Sequence, residues 1–404
     1  MSATAPPARR SAWKGALKVL VAAAVLVLVV RMVPWGDELS YSFEGRSTVV
    51  SGAIEGDWKG EQIRFQLDPP EQWDTLPEEL RATASPDQPR VLQLARSERL
   101  SWRPGMPRAF RDVDPTGLSI ALVLATVGIF GTSLRWWRLL RASGCPMRLW
   151  PTVRLTYVGF FFNIVVPGLT GGDLVKAVMV ARWHPERRAA AAMSVLVDRL
   201  LGVFVLVAIG AVAVLVLGER FPYPRAPILV GLAVGCVAVL AYANPTLRRL
   251  VGFERVLTRL PFAATLRQID DALVIAARSP RELAWASGFS LFNQCCVMGA
   301  LVVLGRSFGE QGLEVANYVV VSAIGNLISA VPLTPGGVGV TETAYGQLFE
   351  LQGGSFTLGF ACAIAWRLCL VAVGLGGGLF LLTPEGRLSA AERAQLQARA
   401  SSSP

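Results

Sequence analysis

Asn163-Ile-Val-Val-Pro167-Gly168-Leu-Thr170-Gly171-Gly172-Asp173-Leu-Val-Lys176 is the stretch whose reading decides the fold. The apolar run before its Pro-Gly break, 156–166, is too short to cross a bilayer core, which takes about 20 helical residues. After the Gly-Gly-Asp turn the chain runs only to Arg182 before charge returns. A hairpin that dips in from the cytoplasm and comes back fits this pattern better than two full crossings. Non-helical backbone at membrane depth is tolerated only where protein or a wet cavity covers it, so the turn is expected to line a cavity.

A second stretch repeats the pattern: Gly325-Asn326-Leu-Ile-Ser-Ala-Val-Pro332-Leu-Thr334-Pro335-Gly336-Gly337-Val-Gly339-Val-Thr341-Glu342. Leu333-Thr334-Pro335-Gly336-Gly337 matches Leu169-Thr170-Gly171-Gly172 with one inserted proline, and each follows an asparagine, Asn163 or Asn326. A long apolar helix with an embedded arginine follows each: Arg199, beside Asp198, after the first and Arg367 after the second. Counting crossings, the first hairpin enters from inside and the second from outside. Paired interrupted segments of opposite orientation point to an inverted repeat with a site near the midplane. Pro-Gly clusters also mark simple kinks and loop turns, which is the plainer reading of either segment taken alone.

Composition places both segments in a membrane. Of 404 residues, 52% are hydrophobic and only 17% charged, too apolar for an ordinary soluble domain. The net charge of +10 raises nucleic acid as a partner, but its distribution excludes that. Residues 34–112 carry ten basic and fourteen acidic side chains, so the remainder holds +14 at the ends of apolar runs, where basic residues signal topology. The six cysteines form no C-x-x-C and the one histidine, His184, sits in a basic turn; no metal centre, disulfide scaffold or cofactor is expected.

Arg9, Arg10, Lys14 and Lys18 precede the run 19–30, which puts the N-terminus inside. A cleaved signal peptide is the competitor, but Arg-Met-Val-Pro-Trp lacks the small-x-small cleavage pattern. Run 116–134 brings the chain back to Arg135, Arg138, Arg141 and Arg148, read as a cytoplasmic flank. Further runs are 200–218, 226–246, 283–305, 315–341 and 351–384. Between them, 244–281 carries six arginines and helically spaced Leu250, Val251, Val256, Leu257 and Leu260, as a helix lying on the inner leaflet does. Residues 34–112 alternate apolar and polar side chains at Val50, Gly52, Ile54 and Ile63, Phe65, Leu67, with Gly-Asp-Trp-Lys-Gly as turn chemistry. A small module of two or three strands plus 90–94 is expected, leaning on the membrane part.

The fold class is therefore an all-α polytopic membrane protein. About six full spans, two re-entrant broken-helix hairpins in an inverted repeat and a small β-rich extracytoplasmic insertion are expected. The divisions are a cytoplasmic N-terminus and anchor at 1–33, the β-rich module at 34–114, the transmembrane core at 115–384 and a cytoplasmic tail at 385–404.

A charge at helix centre costs roughly 2.5–3.5 kcal/mol on insertion scales, so each embedded one calls for a partner or a task. Asp198 and Arg199 point about 100° apart on a helix and are not expected to pair with each other. Asp198 is read as neutralising Lys176 or Arg367, which leaves Arg199 for an anion; structural ion pairs are the alternative. Lys176, Arg199 and Arg367 are the cations available to a phosphate, and amides of the turns at Gly171, Gly172, Gly336 and Gly337 add neutral donors. Asn163, Asp173, Thr334 and Glu342 complete the candidate substrate-binding set, with Asn293 and Gln294 lining the same cavity or bonding between helices.

At these residues the chain resembles the lysylphosphatidylglycerol synthase transmembrane-region, or flippase-like, membrane proteins. The resemblance lies in Asn163, Pro167, Gly168, Gly172, Asp173, Lys176 and Ala177, in Asp198, Arg199 and Gly202, and in Pro332 through Glu342, and it covers roughly 116–382. It implies a multi-pass protein of the bacterial cytoplasmic (inner) membrane, both termini inside, related to the flippase half of the multiple peptide resistance factor. Such a protein moves a phospholipid or other lipid-linked headgroup between leaflets, with a membrane lipid of anionic headgroup as partner. Two departures matter. Only a short tail follows the last span, so the aminoacyl-transferase domain is expected to be absent and the chain is not expected to lysinylate lipid. The module at 34–112 is not part of the usual core.

Two other classes compete. Asp112-Val-Asp114, at the return to the membrane, is the kind of acidic motif that a polytopic glycosyltransferase with a lipid-phosphate sugar donor places on an outer loop. A non-transporting scaffold would recruit lipid-synthesis enzymes through 244–281. The chain is expected not to be an enzyme.

Overall fold

Alternation in the N-terminal region becomes an antiparallel sheet of five strands: β1 (Asp37–Phe43), β2 (Arg46–Glu55), β3 (Gln62–Leu67), β4 (Val91–Ala95) and β5 (Leu100–Arg103), in the order β4-β3-β2-β1-β5. The structure, a computed structural model, describes Arg31 and residues 33–381 except 44–45, 69–72, 75, 86–87, 89, 98–99, 166–170, 218–278, 331–333 and 335–336. Val50, Ile54, Ile63, Phe65 and Leu67 are buried as their spacing predicts. Each such side chain, taken out of water, stabilises by about 1.5–3 kcal/mol. The sheet has two strands more than the minimum expected. β1 and β5 flank each other with Leu39 opposite Trp102 and Tyr41 opposite Leu100, closing the same buried face.

Asp37 ties the sheet to the segment that leads into the helices. Its buried carboxylate accepts the Ile54 N–H at 2.7 Å, the Gly105 N–H at 2.7 Å and Arg108 Nε at 2.9 Å. Arg108 lies on the short helix α2 (Met106–Arg111), which comes after the four-residue helix α1 (Glu78–Arg81) in the chain.

The rest is helical: α3 (Pro115–Ala142), α4 (Leu149–Val165), α5 (Gly171–Trp183), α6 (Arg188–Leu217), α7 (Pro280–Ser307), α8 (Val315–Ala330), α9 (Val340–Leu351) and α10 (Phe356–Gly378). Among the described residues four helices are long and apolar enough to cross a membrane: Pro115–Ala142, Arg188–Ala213, Pro280–Ser307 and Phe356–Leu381. At 1.5 Å per residue the 28-residue helices reach about 42 Å, beyond a core of about 30 Å. The expected runs 19–30 and 226–246, the basic segment 244–278 and the tail from 385 lie outside the described residues. Run 315–341 is not one helix: α8 ends at Ala330 and α9 begins at Val340.

The chain forms two compact units, each discontinuous in sequence. The first comprises Met1–Leu118, Val302–Asn317 and Ile328–Ala365 and holds the sheet together with the ends of several helices. Within it Phe110 meets Phe308 edge-on at 5.3 Å, Arg103 pairs with Glu350 at 3.5 Å, and the Asp114 N–H reaches Ser307 O at 3.2 Å. So the β-rich module does lean on helical residues. The second unit comprises Ser119–Leu301, Tyr318–Leu327 and Trp366–Pro404. Lipid tails are as apolar as leucine, so its cohesion rests on close packing and polar contacts between helices. Trp136, Leu140, Leu155, Val180 and Val195 form one tightly packed cluster from α3, α4, α5 and α6, and Trp136 Nε1 bonds Ser194 Oγ at 3.1 Å.

Candidate functional site

Each embedded charge of α6 finds its partner on another helix. Asp198 faces α3, where Arg135 holds it at both ends: Nε to Oδ1 at 2.7 Å and Nη2 to Oδ2 at 3.1 Å. The third donor, Nη1, reaches Ser290 Oγ on α7 at 3.2 Å, and all three residues are buried. Gly202, one turn beyond Asp198, makes room for this: a β-carbon there would lie 2.9 Å from Nη1. A guanidinium fork matched to a carboxylate satisfies the charges that burial would otherwise penalise, and it joins three helices.

Arg199, the next residue, faces the other way and pairs with Asp173 in the first turn of α5. A carboxylate there also complements the positive end of the helix dipole. This pair is open: the Arg199 side chain is 48% exposed, against 8% for Arg135. The expectation that Asp198 neutralises Lys176 or Arg367 and leaves Arg199 without a carboxylate is thus corrected. Arg135 was read as a cytoplasmic flank and is instead the buried partner of Asp198.

The two limbs of the first broken segment lie side by side. Asn163 Oδ1, near the end of α4, accepts the Gly172 N–H at 2.8 Å, and a β-carbon on Gly172 would sit 1.9 Å from Gly159 O. Only glycine permits that approach. The Gly172 amide, expected to face a headgroup, is therefore engaged by Asn163. Gly171 opens α5, and the turn 166–170 lies outside the described residues. Lys176 is buried, its ammonium 4.2 Å from the centre of the Trp136 ring, in a cation–π contact.

Beside the two arginines lies a cavity of about 370 Å³ within the second unit. Arg135, Arg199, Asn293, Gln294 and Asn326 supply its polar wall, while Phe160, Trp366 and neighbouring aliphatic side chains supply the apolar one. Asn293 Oδ1 accepts Thr132 Oγ1 at 3.3 Å, whereas the buried Gln294 Oε1 has no hydrogen-bond partner among the described residues. Of the expected set, Arg199 lines this cavity, and Asp173 and Asp198 are bonded to residues that line it. Arg367 is half-buried on α10 and is not part of the lining. Arg135, Ser290 and Trp366 were not singled out as site residues. The signal for Arg135 was its place inside Ser-Leu-Arg-Trp-Trp, an apolar setting that an exposed flank does not need.

The second broken segment belongs to the first unit. Thr334 Oγ1 bonds Val338 O at 3.0 Å, Gly337 and Gly339 take φ of 67° and 86°, and the Gly339 N–H reaches Glu342 Oε2 at 2.7 Å. Glu342, buried, thereby closes the N-terminus of α9, and Thr341 Oγ1 accepts Ser329 Oγ at 3.1 Å. Gly336 lies outside the described residues. Asp114 has a capping role too: its Oδ1 accepts the Thr116 N–H at 2.9 Å at the start of α3. No group of three or more metal-ligating side chains occurs among the described residues.

A family model described as lysylphosphatidylglycerol synthase TM region matches residues 101–378, more than half of the chain. No curated protein and no solved structure matches.

Proposed function

The chain belongs to the lysylphosphatidylglycerol synthase transmembrane-region family, a multi-pass membrane protein with a lipid-related role, and from that premise we propose that it translocates lipid. It moves a phospholipid or lipid-linked phosphate headgroup between the leaflets of the bacterial cytoplasmic membrane, with both termini inside, and is not itself an enzyme.

The observation that carries this reading is the cavity of about 370 Å³, with two arginines and three side-chain amides on one wall and apolar side chains on the other. That lining suits a polar headgroup joined to hydrocarbon. The arginines differ in what they offer. Arg135 is fixed by Asp198 and Ser290, whereas Arg199 is half-exposed and its carboxylate partner stands on α5, the downstream limb of the broken segment. An entering phosphate exchanges with Asp173 for the Arg199 guanidinium, and the released Asp173 loosens α5 from α6. Headgroup occupancy is thereby coupled to movement of the hairpin, as alternating access between inverted repeats requires.

The test is reconstitution in proteoliposomes with phosphatidylglycerol, phosphatidylethanolamine and polyprenyl-phosphate lipids, each followed by headgroup accessibility from outside. Protein-dependent equilibration of at least one of them is expected. No acceleration of any over empty vesicles defeats the reading.

A further inference from the structure

The first unit contains a crevice of about 240 Å³ in which the sheet meets two glycine-containing loops, 309–312 and 353–355. Its charge is unbalanced. Lys59, Arg96 and Arg103 line it against one carboxylate, Glu310, whose oxygens already accept the Gly312 and Ser355 N–H groups at 2.9 Å each. Arg103 has Glu350 at 3.5 Å. Lys59 and Arg96 have no carboxylate partner among the described residues: Lys59 Nζ bonds Asp112 O at 3.2 Å and lies 5.6 Å from the Trp58 ring, and Arg96 lies 5.0 Å over Trp102.

A second, independent feature points to a ligand. Trp58 lines the crevice and is 5% exposed, yet its Nε1–H is buried with no acceptor among the described residues. The companion indole, Trp102, has one, donating to Trp58 O at 2.7 Å. Buried donors are nearly always satisfied, and an indole N–H only donates, so what completes this one must be an acceptor. An acceptor placed beside two cations without carboxylates is an oxyanion. The volume is on the order of eight waters, which fits one phosphoryl group with a small polar substituent.

We propose that this crevice is a binding site, separate from the helical cavity, for a phosphate group carried either by a lipid headgroup or by a small solute. Lys59 and Arg96 supply the charge, the Trp58 indole a fixed donor, and the rings under the two cations hold them in place. Purified full-length protein in phosphatidylcholine nanodiscs is titrated with inorganic phosphate and with glycerol phosphate by calorimetry. Protein in nanodiscs that also contain phosphatidylglycerol is examined for retained phosphatidylglycerol by native mass spectrometry. Saturable binding is expected in at least one arm. Arg96→Gln and Trp58→Phe should each weaken it about tenfold, while Arg96→Lys keeps most of it. Trp58→Phe keeps the ring and removes the unsatisfied donor, so its Tm should stay level or rise, which separates lost binding from lost folding. Binding in the phosphate arms identifies a solute site, and binding only with phosphatidylglycerol a lipid site. No binding in any arm, or binding indifferent to Arg96→Gln and Trp58→Phe, overturns the proposal.

Discussion

Asp198 and Arg199 are adjacent in the chain and have opposite fates. Asp198 is buried in a bidentate pair with Arg135 that also takes in Ser290, whereas Arg199 makes a half-exposed pair with Asp173 at the edge of a cavity. Equal residue types therefore carry different duties according to burial. A pair closed to water is a strut, because breaking it strands a charge. A pair open to a cavity can exchange partners at small cost, because solvent or ligand replaces what is lost.

The largest effect should follow from breaking the strut. Arg135→Gln leaves Asp198 buried without its guanidinium and is expected to cost about 3–5 kcal/mol, read as a large drop in Tm or a failure to purify folded protein. Replacing both partners by apolar residues should recover most of that loss; if the double variant is as unstable as the single, stranded charge is not the cause. A smaller effect is expected when the strut is strained rather than broken. Gly202→Ala puts a β-carbon 2.9 Å from Arg135 Nη1 and should cost about 1–3 kcal/mol, with the drop absent in the double apolar background.

A third charged cluster, away from the membrane helices, sharpens the contrast. Glu38 stands opposite Arg103 across β1 and β5, and Glu350 also pairs with Arg103. Burial pushes the Glu38 carboxyl above its ordinary value of 4.5; Arg103 pulls it down and Glu350 pushes it up. With the folded value raised, the stability contributed by protonated Glu38 is complete below about 4.5 and is lost as pH rises through the folded value. Glu38→Gln should therefore raise Tm slightly at neutral pH and leave it unchanged in acid. A variant less stable at neutral pH would mean that the Arg103 attraction outweighs burial.

Much of this was legible in the chain. The apolar runs marked the long helices. The 100° offset between neighbours foretold that Asp198 and Arg199 do not pair with each other, and the mid-helix Asn293 and Gln294 pointed to a cavity. Partners were not legible, because helical periodicity tells which residues share a face but not which helix covers it. Arg135 is the instance: counted with Arg138 and Arg141 as a flank, it lies on the buried face with Trp136 and Leu139. Gly172 was read as a close-approach residue, and it is one, but the neighbour it approaches is the Gly159 carbonyl across the hairpin. In the sheet, β1 and β5 kept the two-residue period at Leu39, Tyr41, Leu100 and Trp102. Intervening serines and the shortness of β5 hid it.

The central claim is that Arg199 holds the lipid headgroup while Arg135 holds the protein together. The most direct measurement is leaflet equilibration in proteoliposomes by Arg199→Gln protein, with Tm measured on the same preparation. Transport reduced to the rate of empty vesicles, with Tm within a few degrees of the parent, is the expected result. Normal transport, or a fall in Tm as large as that of Arg135→Gln, would contradict it.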